Sequence, residues 1–303
     1  METLEFSRFL EEKVSEYLQT FGCVVIKGPR FVGKTYLSKK FSKLNIDLSN
    51  AKKEFLEAAR ISPHSILEQS VKPVLIDEWQ LAPQLWTAAK NIIDEKNNDR
   101  GLFIFTGSVQ LKYMDIKEFG IGRFGSLELW PLSLYESRDS NGAISLKDIK
   151  DEKFKTTFFK EPMTLEKVIQ LTFRGGFPVC VKNEGYSRIN KEYIKQTIES
   201  LNIIDGYKNT DKHKFEMFLR LMALRVGNII SNENLINQLS KSDSEKITRP
   251  TINKYMEILR NQFLIDELSS YDSNVISPYR IIKKKKLYFY DPSLALAAPD
   301  FCS

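Results

Sequence analysis

An α/β core built on a parallel sheet, followed by a mostly helical second part, is the fold class that this 303-residue sequence predicts. Three observations predict it. Short apolar, β-branched runs at residues 21–27, 74–77 and 102–105 read as buried parallel strands, because strands covered on both faces lose the alternation of half-exposed ones. The first run leads into a glycine-rich loop and then an amphipathic segment, so strand, loop and helix come in sequence. Beyond residue 213, apolar positions recur at helical spacing.

The first strand is Phe21-Gly22-Cys23-Val24-Val25-Ile26-Lys27. After it, Gly28-Pro29-Arg30-Phe31-Val32-Gly33-Lys34-Thr35 fits G-x-x-x-x-G-K-[ST] at every fixed position, the pattern of a P-loop. Glycine lets the backbone wrap an anion, consecutive amides point inward, and a following helix N-terminus adds its positive pole. In such a loop Lys34 reaches the β- and γ-phosphates of ATP, and the Thr35 hydroxyl ligates Mg²⁺. Gly33 to Leu44 reads as the helix, with Leu37, Phe41 and Leu44 at i, i+4 and i+7 on one buried face.

The second strand, Val74-Leu75-Ile76, ends in Asp77 and Glu78, a Walker B pattern. Asp77 is the metal-side carboxylate, and Glu78 is placed to polarise the water that attacks the γ-phosphate. The plain alternative is a strand ending in an acidic turn. The third strand, Leu102 to Phe105, ends in Thr106-Gly107-Ser108; Thr106 and Ser108 are either sensors of the γ-phosphate or members of an ordinary turn.

Taken together these motifs resemble a family of prokaryotic AAA+-like ATPases whose C-terminal half is a domain of uncharacterised function. Gly-Pro-Arg-x-x-Gly-Lys-Thr at 28–35, followed by Leu37, is similar to that family's P-loop. Ile76-Asp77-Glu78-Trp79-Gln80, with Pro83 and Leu85, is similar to its I-D-E-x-Q form of Walker B. Phe105-Thr106-Gly107-Ser108 resembles its sensor strand, and Gly122-Arg123-Phe124 resembles the Gly-Arg before a Pro-Leu-Ser segment, here Pro131-Leu132-Ser133. The resemblance implies nucleotide binding at Gly28 to Thr35 and Leu37, Mg²⁺ at Thr35 and Asp77, and catalysis by Lys34 and Glu78. It makes Arg123 an arginine finger or sensor acting across a subunit or domain boundary, of which the first would require assembly into a homo-oligomer; the alternative for Arg123 is a surface salt bridge. Gln80 is either a polar residue at a helix start or a partner of Glu78 or its water.

Composition agrees with two domains, since 303 residues exceed what one small core usually organises. No run approaches the ~20 apolar residues of a membrane helix, and the acidic, amphipathic start is unlike a signal peptide, so a cytoplasmic location is expected. Cys23, Cys180 and Cys302 are too few and too far apart for a disulfide framework or zinc site, and Cys23 reads as a small core residue. With His64 and His213 the only histidines, a histidine-based centre has almost no material.

Residues 1–140 hold 19 basic and 19 acidic side chains, so the formal charge of +6 sits wholly in the remainder. That excess is either an anionic partner's footprint or a solvated surface. Residues 137–165 read as an exposed insertion or linker, and the expected domains are 1–136, 137–212 and 213–303. Phe173-Arg174-Gly175-Gly176-Phe177-Pro178 reads as a tight turn between helices and resembles the opening of the family's second domain.

Residues 214–268 read as a winged helix. Phe215, Phe218, Leu219, Met222 and Ala223 form one helical stripe, Asn234 to Leu239 a second helix, and Thr248-Arg249-Pro250 opens a third whose inner face is Ile252, Tyr255, Met256 and Leu259. Phe263 to Leu268 and Leu287 to Tyr290 would make the wing, with Lys283 to Lys286 at its base. The module, residues 213–290, contacts either double-stranded DNA, through the third helix and the lysine run, or a protein surface as a lever. The resemblance implies a nuclease-like part beyond the Asp291-Pro292 segment, which the 303 residues do not include, so nuclease activity is not expected of them; a natural short version, a frameshift product and a fragment are equally open readings. The expected function is Mg²⁺-dependent, slow ATP hydrolysis coupled to movement of the C-terminal domain. The alternatives are a nucleotide-gated module with negligible turnover and, less favoured for want of a lid or acceptor pocket, a small-molecule kinase.

Overall fold

The computed structural model describes residues 5–68, 71–108, 120–153, 163–201, 207, 210–229, 231–242, 247–270 and 285–299. The chain divides into two compact units: Ser7–Trp130 with Asn261–Phe263, and Met1–Phe6 with Pro131–Arg260 and Leu264–Ser303.

The first unit is a five-stranded parallel sheet in the order β2-β3-β4-β1-β5. Its strands are β1 (Cys23–Lys27), β2 (Leu44–Asp47), β3 (Val74–Asp77), β4 (Phe103–Gly107) and β5 (Phe124–Glu128). The helices are α1 (Leu10–Thr20), α2 (Lys34–Lys39), α3 (Lys53–Ile61), α4 (Pro63–Glu68) and α5 (Gln84–Glu95). Strand residues alternate between two cores, as successive side chains must. Cys23, Val25, Val74, Ile76, Phe103 and Phe105 pack with Trp79, Trp86, Ile92 and Ile93, whereas Val24, Ile26, Leu75 and Ile104 pack with Val14, Val32 and Leu37. Helices thus cover both faces, and β1, β3 and β4 read as unbroken apolar runs for that reason.

Leu44 corrects the sequence reading. The helix after the P-loop stops at Lys39, and Leu44 is 39% exposed rather than on a buried face. The amides of Lys43 and Leu44 both donate to the carbonyl of Pro73, which draws the chain into β2 and pairs Leu44 with Val74. An edge strand four residues long, with no apolar run of its own, has won over a helical spacing.

The second unit is mostly helical: α6 (Leu146–Lys150), α7 (Leu165–Arg174), α8 (Pro178–Lys182), α9 (Tyr186–Ser200), α10 (Lys212–Ala223), α11 (Asn232–Ser242), α12 (Arg249–Asn261) and α13 (Pro292–Ala297). A hairpin of β6 (Ile265–Leu268) and β7 (Lys286–Phe289) joins them, antiparallel with Ile265 opposite Phe289, and Ile229 bridges to Lys286. The inner faces hold Phe215, Phe218, Leu219, Met222, Leu235, Leu239, Ile252, Tyr255, Ile258 and Leu259. Met256 is only half-buried; Ile258 takes the inner place instead. Lys283 and Lys284 lie outside the described residues, and Lys285 directly precedes β7.

The segment expected to be an exposed linker is anchored at its start. Arg174 binds Asp139 at 2.6 Å with side chains 14% and 12% exposed, while residues 140–150 are almost wholly exposed. The turn at 175–177 is tight because Gly175 adopts φ +70 and Gly176 lies against Leu132, where a Cβ would stand 2.2 Å from the Leu132 carbonyl oxygen. Asp291 caps α13 through Ser293 N at 2.9 Å and also accepts from Gly176 N at 2.7 Å.

Candidate functional site

Parallel strands all end at one edge of the sheet, and β4 lies between β1 and β3. The register pairs Ile26 with Thr106 and Thr106 with Asp77, so the P-loop, the two carboxylates and the Thr-Gly-Ser segment emerge side by side.

The loop has the backbone that its glycines permit. Gly28 sits at φ +152 against β5's exit, where a Cβ would stand 2.3 Å from the Leu129 carbonyl oxygen. Gly33 takes φ +98 as the N-cap of α2, and Phe31 is left-handed at φ +60 with its ring 65% exposed. Pro29 and Val32 are buried; Arg30 is exposed. Leu37 packs in the core beneath the loop, where it seats α2.

Lys34 is 5% exposed, and its ammonium donates to the carbonyls of Gly28 at 3.0 Å and Pro29 at 2.7 Å. Burial lowers its pKa to about 8, against the opposing pull of Glu78 and then Asp77. Thr35 Oγ1 donates to Asp77 Oδ2 at 2.6 Å, and Thr106 Oγ1 donates to Asp77 Oδ1. One carboxylate therefore joins the P-loop helix to β4. Asp77, Thr106 and Ser108 are all buried. A threonine hydroxyl beside a carboxylate is an all-oxygen donor pair, the kind that suits Mg²⁺, which takes few protein ligands and keeps its waters. Lys34, held by carbonyls, is the cation that phosphate oxygens would claim from them. The residues present thus fit Mg²⁺ and a polyphosphate.

Glu78 follows β3 in a left-handed conformation, φ 54, and accepts from Gln80 Nε2. Arg123 is not brought to this edge. It precedes β5, where the strands begin, and its Nε donates to Asp94 Oδ1 at 2.7 Å. About five strand residues at roughly 3.3 Å each separate it from the loop. Within one chain its geometry is that of a salt bridge at the end of α5, which also lowers the pKa of Asp94 through that hydrogen bond.

Arg8 was not foreseen. It is 6% exposed, and its guanidinium donates to Val32 O at 2.9 Å and to Trp130 O, bracing the P-loop against the exit of β5. A lone arginine 24 and 122 residues from its partners leaves no local signal in the sequence.

Comparison with known proteins gives two family matches: an AAA domain over residues 20–137, and a domain of unknown function (DUF8612) over residues 165–301. Among solved structures, the Walker-type ATPase PABY2304 of Pyrococcus abyssi is 16% identical, with 97% of this chain and 96% of that one covered at a TM-score of 0.60. A STAND ATPase with a tetratricopeptide repeat sensor, PH0952 of Pyrococcus horikoshii, is 14% identical, with 99% of this chain but 43% of that one covered at 0.35. A RuvB variant of Thermotoga maritima is 16% identical, with 86% and 89% covered at 0.38. Of these three, the first supports a shared fold. No curated protein matches the sequence. The core is a P-loop NTPase fold of AAA type, followed by a helical region. Among the described residues, no helix is long and apolar enough to cross a membrane.

Proposed function

We propose that the first unit binds ATP and hydrolyses it, and that the second responds to the bound nucleotide. The observation that carries this is the hydrogen-bonded chain Thr35–Asp77–Thr106 beside Lys34, at the one sheet edge where a phosphate loop also opens. In this reading the loop amides and Lys34 hold the β- and γ-phosphates, and Thr35 and Asp77 hold Mg²⁺, which supplies charge neutralisation when bound. Glu78 accepts the proton of the attacking water, and Lys34 stabilises the charge that develops on the phosphoryl oxygens. Thr106, with Ser108 beside it, keeps the Asp77 carboxylate oriented. Arg123 has no part in this mechanism within one chain.

For residues 213–290 the arrangement of α10, α11, α12 and the β6–β7 hairpin supports a winged helix. Two of its basic groups favour the lever over DNA contact: Arg260 binds Glu267 at 2.6 Å and Lys285 lies 3.7 Å from the same carboxylate, so these two charges already have a counter-ion. Calorimetric titration of Mg·ATP tests the first step: the wild type is expected to bind and Lys34→Ala not to. Equal affinity in both would remove the phosphate loop from the account.

A further inference from the structure

Gln80 is left unassigned by that mechanism, yet three features converge on it. It stands in the 3-10 turn Trp79–Leu81, and the left-handed Glu78 at φ 54 bends the chain so that the carboxamide returns to the residue two before it. Gln80 Nε2 donates to Glu78 Oε2, which occupies one carboxylate oxygen. The other end of the amide, Gln80 Oε1, is buried with no hydrogen-bond partner. Such an unanswered buried carbonyl is unfavourable for the fold and calls for a reason. That oxygen fits into the space left by a missing side chain: a Cβ on Gly107 would stand 2.6 Å from it and 3.0 Å from Trp79 Nε1. Gly107 closes β4 immediately after Thr106, whose hydroxyl meets Asp77.

We propose that Gln80 is a positioning residue for hydrolysis: its amide fixes the rotation of the Glu78 carboxylate, and the end of β4 fixes the amide. The inference rests on Glu78 being the general base. A glutamate at the start of a short turn would otherwise rotate freely about its last torsion, which is broad and roughly two-fold. With Oε2 tied to Gln80, the other oxygen is left for the proton of the water. Glu78 is also the carboxylate that most strongly opposes the effect of burial at Lys34, which places its charge near the phosphate-binding cation. Base and metal-side carboxylate are then both set from the Thr106-Gly107 strand end, one through Gln80 and the other directly.

Gln80→Met in the full chain keeps the length of the side chain and removes the donor together with the orphaned oxygen. Its kcat is expected to fall about 10²-fold, the scale of a misplaced reacting group, with ATP affinity and KM within twofold of wild type and melting temperature not lowered. In the Glu78→Gln background the same substitution is expected to cost nothing further, since groups acting through one another are not additive. A readout without turnover is the side-chain amide resonance of Gln80 in ¹⁵N-labelled, nucleotide-free protein, assigned by its loss in Gln80→Met and expected to shift in Glu78→Ala. Wild-type turnover in Gln80→Met, an additive loss in the double variant, a loss matched by weakened ATP binding and melting, or an unmoved amide resonance would each overturn the proposal. A wild type that does not hydrolyse ATP at all overturns the general-base reading instead, and the amide shift then still decides whether the contact exists.

Discussion

Lys34 can hold a phosphate only while it is charged, and burial brings its pKa down to about 8 in the nucleotide-free protein. The sign follows from linkage: a phosphate raises that pKa, so binding above pH 8 must take up a proton and becomes weaker as pH rises. Affinity for ATP by calorimetry is expected to be flat below pH 7.5 and to fall about tenfold per unit above 8, and Lys34→Arg, which does not titrate, is expected to lose that dependence. Glu78→Gln removes the proton acceptor while leaving the loop intact. It is expected to bind ATP as wild type does and to lose about 10²–10⁴-fold in kcat, read in a phosphate-release assay. These residues were legible in the sequence because each belongs to a short local pattern. Arg8 and the Asp94 partner of Arg123 were not, because their contacts are made only when distant segments fold together.

Among the elements, the phosphate loop is the most exacting. Gly28 at φ +152 faces the Leu129 carbonyl oxygen at a distance that no Cβ tolerates. Gly28→Ala is therefore expected to lower the stability of the first unit by about 2 kcal/mol or more in urea denaturation, and to weaken ATP binding with it. The central strands β1, β3 and β4 were readable from composition, since strands covered on both faces must be apolar throughout. The edge strand β2 was not. Leu44 continues the helical spacing of Leu37 and Phe41 by accident, and only the pairing of Leu44 with Val74 and of Ile46 with Ile76 reveals the strand. Of the helices in the second unit, α10, α11 and α12 were legible from apolar stripes, with α11 running from Asn232 to Ser242 rather than from Asn234 to Leu239, and the choice between Met256 and Ile258 on the inner face of α12 depends on packing that spacing alone does not fix.

At the scale of the molecule, each unit has its own fastening. In the second, Asp291 holds α13 by its N-cap and the 175–177 turn by the Gly176 amide, while burial raises its own pKa. Asp291→Ala would orphan two backbone donors. The expected loss is about 2–4 kcal/mol in unfolding of that unit, followed by the fluorescence of its tyrosines, with little change in ATP affinity. The sequence reading places a boundary near residue 137 from the charged stretch there, whereas the two compact units part between Trp130 and Pro131. The fastening was not legible in the sequence, because Asp291 and Gly176 are 115 residues apart. The central claim is that this chain turns over ATP with Lys34 and Glu78. It is tested most directly by measuring hydrolysis of Mg·ATP by the purified wild type, Lys34→Ala and Glu78→Gln proteins, each with and without double-stranded DNA. The account predicts slow turnover in the wild type, its loss in both variants, and no stimulation by DNA at physiological salt. A wild type that binds ATP without hydrolysing it in either condition, or a Glu78→Gln variant that turns over normally, would contradict it.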